Sequence, residues 1–268
     1  MGVMVMGVVN VTPDSFSDGG RYLDPDAAVT HGRALATEGA DWIDVGGEST
    51  RPGAAPVDPA EELRRVVPVV EALAADGLAV SVDTRHAAVA RAAVRAGATL
   101  LNDVGAALGD LAAELGVGWI AMHMQGDPAT MQDAPRYHDV VSEVRDLLVA
   151  RAERARAAGV AEVWIDPGIG FGKTAAHNWA LLARIEVLVA TGWPVVVGTS
   201  RKGFLGQVLG RSDGLDGPAP AGDRREGSLA TATWAMARGA GMVRVHDVAP
   251  TLEARRVLAE SIERRDAA

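Results

Sequence analysis

The chain has 268 residues, no cysteine and a formal net charge of −9. That length suits one barrel-sized α/β domain whose core needs no staple, and the missing sulfur excludes thiol redox chemistry and cysteine-based zinc sites. The acidic balance argues against nucleic acid as an electrostatic partner; no apolar run reaches membrane-spanning length, so the expectation is a cytoplasmic protein with neither signal peptide nor membrane partner.

Eight short apolar runs follow in order, each closing on polar groups. VMVMGVVN ends at Asn10, DWIDVGGEST at Glu48 to Thr50, LAVSVDTR at Asp83 and Arg85, and TLLND at Asn102 and Asp103. GWIAMH ends at His123, VWID at Asp166, PVVVGTSRK at Ser200 to Lys202, and MVRVHD at Arg244 to Asp247. Continuous β-branched runs are the signature of parallel strands covered on both faces. Helical spacing fills the intervals. Asp24-Pro25 and Asp58-Pro59 read as N-caps followed by proline at the first helical position, with Glu61 placed to close a capping box on Asp58. Further helices are expected over 87–96, 108–115, 142–158, 175–190, 227–237 and 250–263. Glycines 39, 77, 97, 116, 159, 192 and 239 stand where left-handed C-terminal caps belong.

The alternation predicts an α/β fold, a (β/α)8 TIM barrel, as a single domain over 1–268. Its polar strand ends would share one mouth, where that fold does its chemistry. Segments 12–24, 46–58 and 125–139 are long loops on this side, and long ordered loops are usually functional. The stretch 211–225 (RSDGLDGPAPAGDRR) reads as a flexible surface excursion.

Asp83, Asn102 and Asp166 end strands three, four and six. Two acceptor-only carboxylates and an amide suit a flat ligand edge rich in N–H donors, such as a 2-amino-pyrimidinone. Each alone reads equally as a loop-tying cap, and two aspartates could also hold a divalent metal. Lys202 follows a buried strand and is a donor, an anion partner or a Schiff-base nucleophile. Arg244 and His246 alternate with valines and so share one side of strand eight. With Arg51 and Asn10 they form a candidate anion pocket at the position where this fold often binds phosphate. Asp14, Asp18 and Asp44 read equally well as structural groups. Met122 and Phe171 are candidate pocket walls.

Residues 7–20 (GVVNVTPDSFSDGG), 44–53 (DVGGESTRPG), 81–84 (SVDT), 102–104 (NDV), 122–126 (MHMQG), 166–174 (DPGIGFGKT), 200–206 (SRKGFLG) and 244–248 (RVHDV) resemble the dihydropteroate synthase family of folate biosynthesis. The resemblance runs from about Val5 to Val248 in the family's order. It implies a barrel, as a homodimer, joining 6-hydroxymethyl-7,8-dihydropterin diphosphate to 4-aminobenzoate with Mg2+. It implies that Asp83, Asn102, Asp166, Lys202, Met122, Phe171 and Arg244 bind the pterin. Asn10, Thr50, Arg51, Arg244 and His246 would bind the diphosphate, Asn10 through the metal. Phe16, Arg51, Pro52, Ser200 and Lys202 would form the aminobenzoate subsite, where sulfonamides would compete. Catalysis would rest on Lys202, Arg244, His246 and Asp83. Gly-Ala-Ala follows Val104 where the family usually has Ser-Gly-Gly. Three other readings share features: a methyltetrahydrofolate-type methyltransferase, a Schiff-base aldolase using Lys202, and a non-catalytic pterin-binding paralogue.

Overall fold

A computed structural model describes residues 2–12, 24–49 and 54–266. Its strands are β1 (Met4–Asn10), β2 (Trp42–Gly46), β3 (Val80–Asp83), β4 (Leu100–Asp103), β5 (Gly118–Met122), β6 (Val163–Asp166), β7 (Val196–Val197) and β8 (Met242–Val245). All pair in parallel, in the order β6-β5-β4-β3-β2-β1-β8-β7. A parallel bridge between Ile165 and Val195 joins β6 to β7 and closes the ring. The expected (β/α)8 barrel is what forms.

The helices are α1 (Pro25–Glu38), α2 (Pro59–Ala75), α3 (Ala87–Arg95), α4 (Gly109–Leu115), α5 (Val140–Ala157), α6 (Ala175–Ala183), α7 (Glu186–Val189), α8 (Gly203–Ser212), α9 (Arg225–Ala237) and α10 (Val248–Asp266). Asp24 and Asp58 cap α1 and α2 as their sequence predicts, accepting from Asp26 N and Ala60 N. The seven expected C-terminal glycines all have positive φ. The capping box on α2 does not form, because Glu61 turns outward to Arg64 and Arg65. The box occurs instead on α6, between Thr174 and His177. The expected helix over 175–190 breaks at Arg184, whose φ and ψ of −122° and 29° leave the helical region.

The helix α8 was not legible in the sequence. Its three glycines depress helix propensity, yet two of them are required by packing. A Cβ at Gly206 would lie 2.5 Å from Arg224 Nε, and one at Gly210 would lie 2.1 Å from Gly217 O. The stretch 211–225 is therefore docked and not an open excursion. It is largely exposed, but Ala219, Ala221 and Arg224 are buried, and a 3-10 turn spans 221–224. Ala219 N donates to Gly206 O at 2.9 Å.

Period two along the strands sorts the barrel. Val5, Val9, Val45, Val82, Leu101 and Val243 face outward into the main core beneath the helices. A second, smaller apolar cluster fills the barrel itself: Met6, Leu100, Ile120, Trp164, Val196 and Met242, all 5% exposed or less. This plug closes the lower barrel. One pleat further along the same strands stand Asp44, Asn102, Met122, Asp166 and Arg244. Register carries the polar layer around the ring: Asn10 pairs with Gly46, Gly46 with Asp83, and Asp83 with Asn102. Met122 pairs with Asp166.

Candidate functional site

The polar layer opens into a cavity of about 720 Å³. Every described residue of the expected site lines it: Asn10, Asp83, Asn102, Met122, Asp166, Phe171, Ser200, Lys202, Arg244 and His246. Phe16, Thr50, Arg51 and Pro52, with Asp14 and Asp18, lie outside the described residues.

At the centre is Asp44, fully buried on β2. Its Oδ2 accepts from Arg244 Nε at 2.6 Å and from Asn102 Nδ2 at 2.9 Å. Arg244 Nη2 donates to Asp83 Oδ2 at 2.9 Å. Asp44 thus belongs to the site, which sequence reasoning left open. Its consequence for Asn102 is direct. The amide nitrogen is committed to Asp44, so the amide presents its carbonyl oxygen as an acceptor. Asp166 spends Oδ1 on Gly168 N at 2.7 Å and keeps Oδ2. Three acceptors therefore stand at the ends of β3, β4 and β6.

Burial sets the charges. It pushes the Asp83 carboxyl up to about 7, with Arg244 opposing and Asp44 adding to the rise. It pushes Asp166 upward too, against the pull of Lys202. Burial pulls Lys202 down to about 8, with Asp166 opposing. Burial alone would lower Arg244, but Asp44 and Asp83 outweigh it and the guanidinium stays charged.

Lys202 is aimed by its neighbours. Its Nζ donates to Ile169 O and lies 4.7 Å above the Phe171 ring. The turn that presents it runs through Arg201, a non-glycine residue at φ 59°. Such a conformation costs about 1–3 kcal/mol and persists only where its surroundings over-determine it. They do so here: Arg201 pairs with Asp247 at 2.8 Å, its N–H donates to Ser228 Oγ, and Arg224 donates to its carbonyl.

His246 lines the same cavity. Burial, and then the nearby Arg244 and Arg201 charges, hold its imidazole well below the usual range, so it is neutral. A neutral imidazole can serve a ligand as a hydrogen-bonding group but not as a cation. Ser200 Oγ accepts from His246 N at 3.2 Å and lies 2.9 Å from Nδ1. When the hydroxyl donates to Nδ1, the imidazole proton sits on Nε2.

Two networks were missed in the sequence. Lys173, 2% exposed, is buried beside His123 at the end of β5. Glu48, Glu62 and His86 form the one cluster of metal-type ligands among the described residues. Arg85 already takes both Glu48 oxygens, at 2.8 and 2.9 Å, and His86 Nδ1 sits 2.6 Å from Glu62. Those pairs make the cluster a brace between the β2 and β3 loops. Asn10 offers a different possibility. An added Cβ on Gly46 would sit 3.8 Å from Asn10 Oδ1 and 3.7 Å from Asp83 Oδ2. Both oxygens thus border the room left by that glycine, and a hard cation suits such oxygen donors.

Comparison with known proteins bears on this arrangement. The family described as pterin binding enzyme matches residues 6–246. The chain belongs to the pterin-binding enzyme family. Dihydropteroate synthase of Mycobacterium leprae is 52% identical over 265 residues, covering 96% of this chain and 92% of that one. Among solved structures, Yersinia pestis dihydropteroate synthase in complex with a sulfonamide drug superposes with a TM-score of 0.91 at 44% identity, covering 98% and 95%. The Xanthomonas albilineans dihydropteroate synthase with 4-aminobenzoic acid gives 0.87 at 48% identity, covering 98% and 93%.

Proposed function

We propose that this pterin-binding enzyme condenses 6-hydroxymethyl-7,8-dihydropterin diphosphate with 4-aminobenzoate, giving 7,8-dihydropteroate and pyrophosphate. One observation carries the reading. Three acceptors that match the donor edge of a pterin stand beside a guanidinium, with Asp83 only 2.9 Å from Arg244. Both ends of a pterin diphosphate thus find their chemistry in one cavity.

The residues divide the work. Asp83, Asp166 and the Asn102 oxygen accept from the ring, Lys202 donates to its carbonyl or ring nitrogen, and Met122 and Phe171 wall the slot. Arg244 lies against the ring. Its Nη1 stands outside both ion pairs and is suited to a phosphate oxygen. Neutral His246 donates to the diphosphate. Thr50 and Arg51 add to that end, and Phe16, Arg51, Pro52 and Ser200 receive the aminobenzoate, which sulfonamides would displace.

The methylene C–O bond breaks, with its electron pair leaving on pyrophosphate. The ring, held by carboxylates, spreads the positive charge left on carbon. The aminobenzoate nitrogen then forms the C–N bond and gives up a proton. We place bond breaking ahead of attack, so no side chain acts as covalent nucleophile. Asn10 Oδ1 would hold Mg2+ together with diphosphate oxygens and water. Bound there, the ion supplies neutralisation of the leaving group's charge. We also propose a cytoplasmic homodimer. Of the described helices, none is long and apolar enough to cross a membrane.

Pyrophosphate release tests the reading. With pterin diphosphate, aminobenzoate and Mg2+ it should match dihydropteroate formation one for one, and it should fall sharply when the metal is chelated. No release with both substrates and metal present would refute the function. Positional isotope exchange of the bridging oxygen without aminobenzoate should be measurable. Its absence would instead mean a tight, amine-assisted displacement.

A further inference from the structure

A buried ammonium with no carboxylate among the described residues in hydrogen-bonding contact needs an explanation, since its desolvation is costly unless every N–H is satisfied. Lys173 is 2% exposed. Its Nζ meets Gly168 O at 3.0 Å, Phe171 O at 3.0 Å and His123 Nδ1 at 2.9 Å, with His123 O further off at 3.3 Å. An ammonium has three N–H groups, and three close acceptors receive them. A methionine would fill much the same volume without that cost. What a methionine cannot do is donate, so the N–H groups of Lys173 are there to gather these acceptors.

What they belong to gives the gathering a purpose. Gly168 and Phe171 flank Ile169 and Gly170 in the loop after β6. Ile169 O is the acceptor for Lys202 Nζ, and the Phe171 ring lies beneath that same ammonium. Gly170 N is tied to Asn178 Oδ1 at 2.7 Å. The loop packs backbone to backbone on the end of β5, where a Cβ at Gly168 would fall 1.8 Å from His123 O. Lys173 is the group that draws this loop and the end of β5 together.

We propose that Lys173 is a positioning residue for the pterin end of the site: its ammonium gathers Gly168 O, Phe171 O and His123 Nδ1 and so fixes where Lys202 and Phe171 meet the heterocycle. The inference rests on the function proposed above. It acts through Lys202 and Phe171.

The test uses the full chain, Lys173→Met and Lys173→Arg. Steady-state constants are read for both substrates, together with the dissociation constant of pterin diphosphate. Lys173→Met should raise the pterin KM and dissociation constant by about tenfold or more, as for loss of hydrogen bonds to a charged group. The aminobenzoate KM should rise clearly less than the pterin constants, since of that subsite only Lys202 is reached, and Lys173→Arg should recover part of the loss. If Lys173→Met does not fold, His123→Leu, which removes one acceptor and keeps both carbonyls, should raise the pterin constants by a few-fold. A lower melting temperature with unchanged pterin constants would overturn the proposal. So would an equal rise in both substrates' KM. If the wild type releases no pyrophosphate, the functional reading fails separately, and the dissociation constants still decide the role of Lys173.

Discussion

One oxygen of Asp44 orients two of the groups that face the ligand. Arg244 and Asn102 both donate to it, and the other oxygen is buried without a partner among the described residues. Replacing Asp44 by asparagine leaves a poorer, neutral acceptor beside a buried guanidinium. The predicted result is a fall of roughly 30- to 100-fold in kcat/KM for pterin diphosphate, in line with about 2–3 kcal/mol for a lost charged hydrogen bond. Asp44 was not legible as a site residue because it sits inside an apolar strand. Its partners lie 58 and 200 positions away in the chain, a juxtaposition that only barrel closure creates. Asp83 yields a prediction in pH. Its carboxyl is held near 7, and only the ionised form pairs with Arg244 and still offers an acceptor-only oxygen to the ring. The accepting fraction therefore falls as pH drops below 7. Lys202, near 8, loses its ammonium as pH rises past that value. A pH profile of kcat/KM for pterin diphosphate should form a bell with its maximum between these limbs. A flat profile from pH 6 to 9 would contradict the assignment.

The elements that build the site differ in how openly the sequence declares them. Strands closing on Asp83, on Asn102 and Asp103, and on Asp166 were readable because each is an apolar run stopped by polar groups, and β8 because Arg244 alternates with valines. Caps at Asp24 and Asp58 were readable because a single local interaction defines them. Glu61 was misread because two arginines on its own helix compete for it. Helix α8 was hidden because its glycines serve contacts with Gly217 and Arg224, outside the helix. Lys173 was passed over because its acceptors on the β6 loop and on His123 meet only when that loop packs onto the end of β5. The loop after β6 offers a stability test. Gly168 has φ 62°, and its added methyl would strike the His123 carbonyl. Gly168→Ala should cost at least about 3 kcal/mol. For a chain of this size that corresponds to a melting temperature lower by roughly 6–12 °C, with pterin affinity reduced as well. An unchanged melting curve would show that the loop relaxes freely.

At the scale of the whole molecule, the barrel reconciles a hydrophobic core with a charged centre by stacking them. Six apolar side chains fill the lower interior. The layer above holds Asp44, Asp83, Asp166, Lys202 and Arg244, whose opposite charges stabilise one another out of water. The chain's net charge is −9, yet Lys202 and Arg244 remain at the mouth that must attract a diphosphate. Length, strand ends and net charge together made this arrangement legible before any coordinates; the depth of the plug and the sharing of Asp44 were not, since both depend on which residues share a level around the ring. The most direct test is the crystal structure of the complex with a non-hydrolysable pterin diphosphate analogue and Mg2+. The ring's N–H edge should lie within hydrogen-bonding distance of Asn102 Oδ1, Asp83 and Asp166, with the phosphates near Arg244, His246 and Asn10. A ring seated away from these acceptors, or phosphates pointing to the opposite rim, would contradict the account.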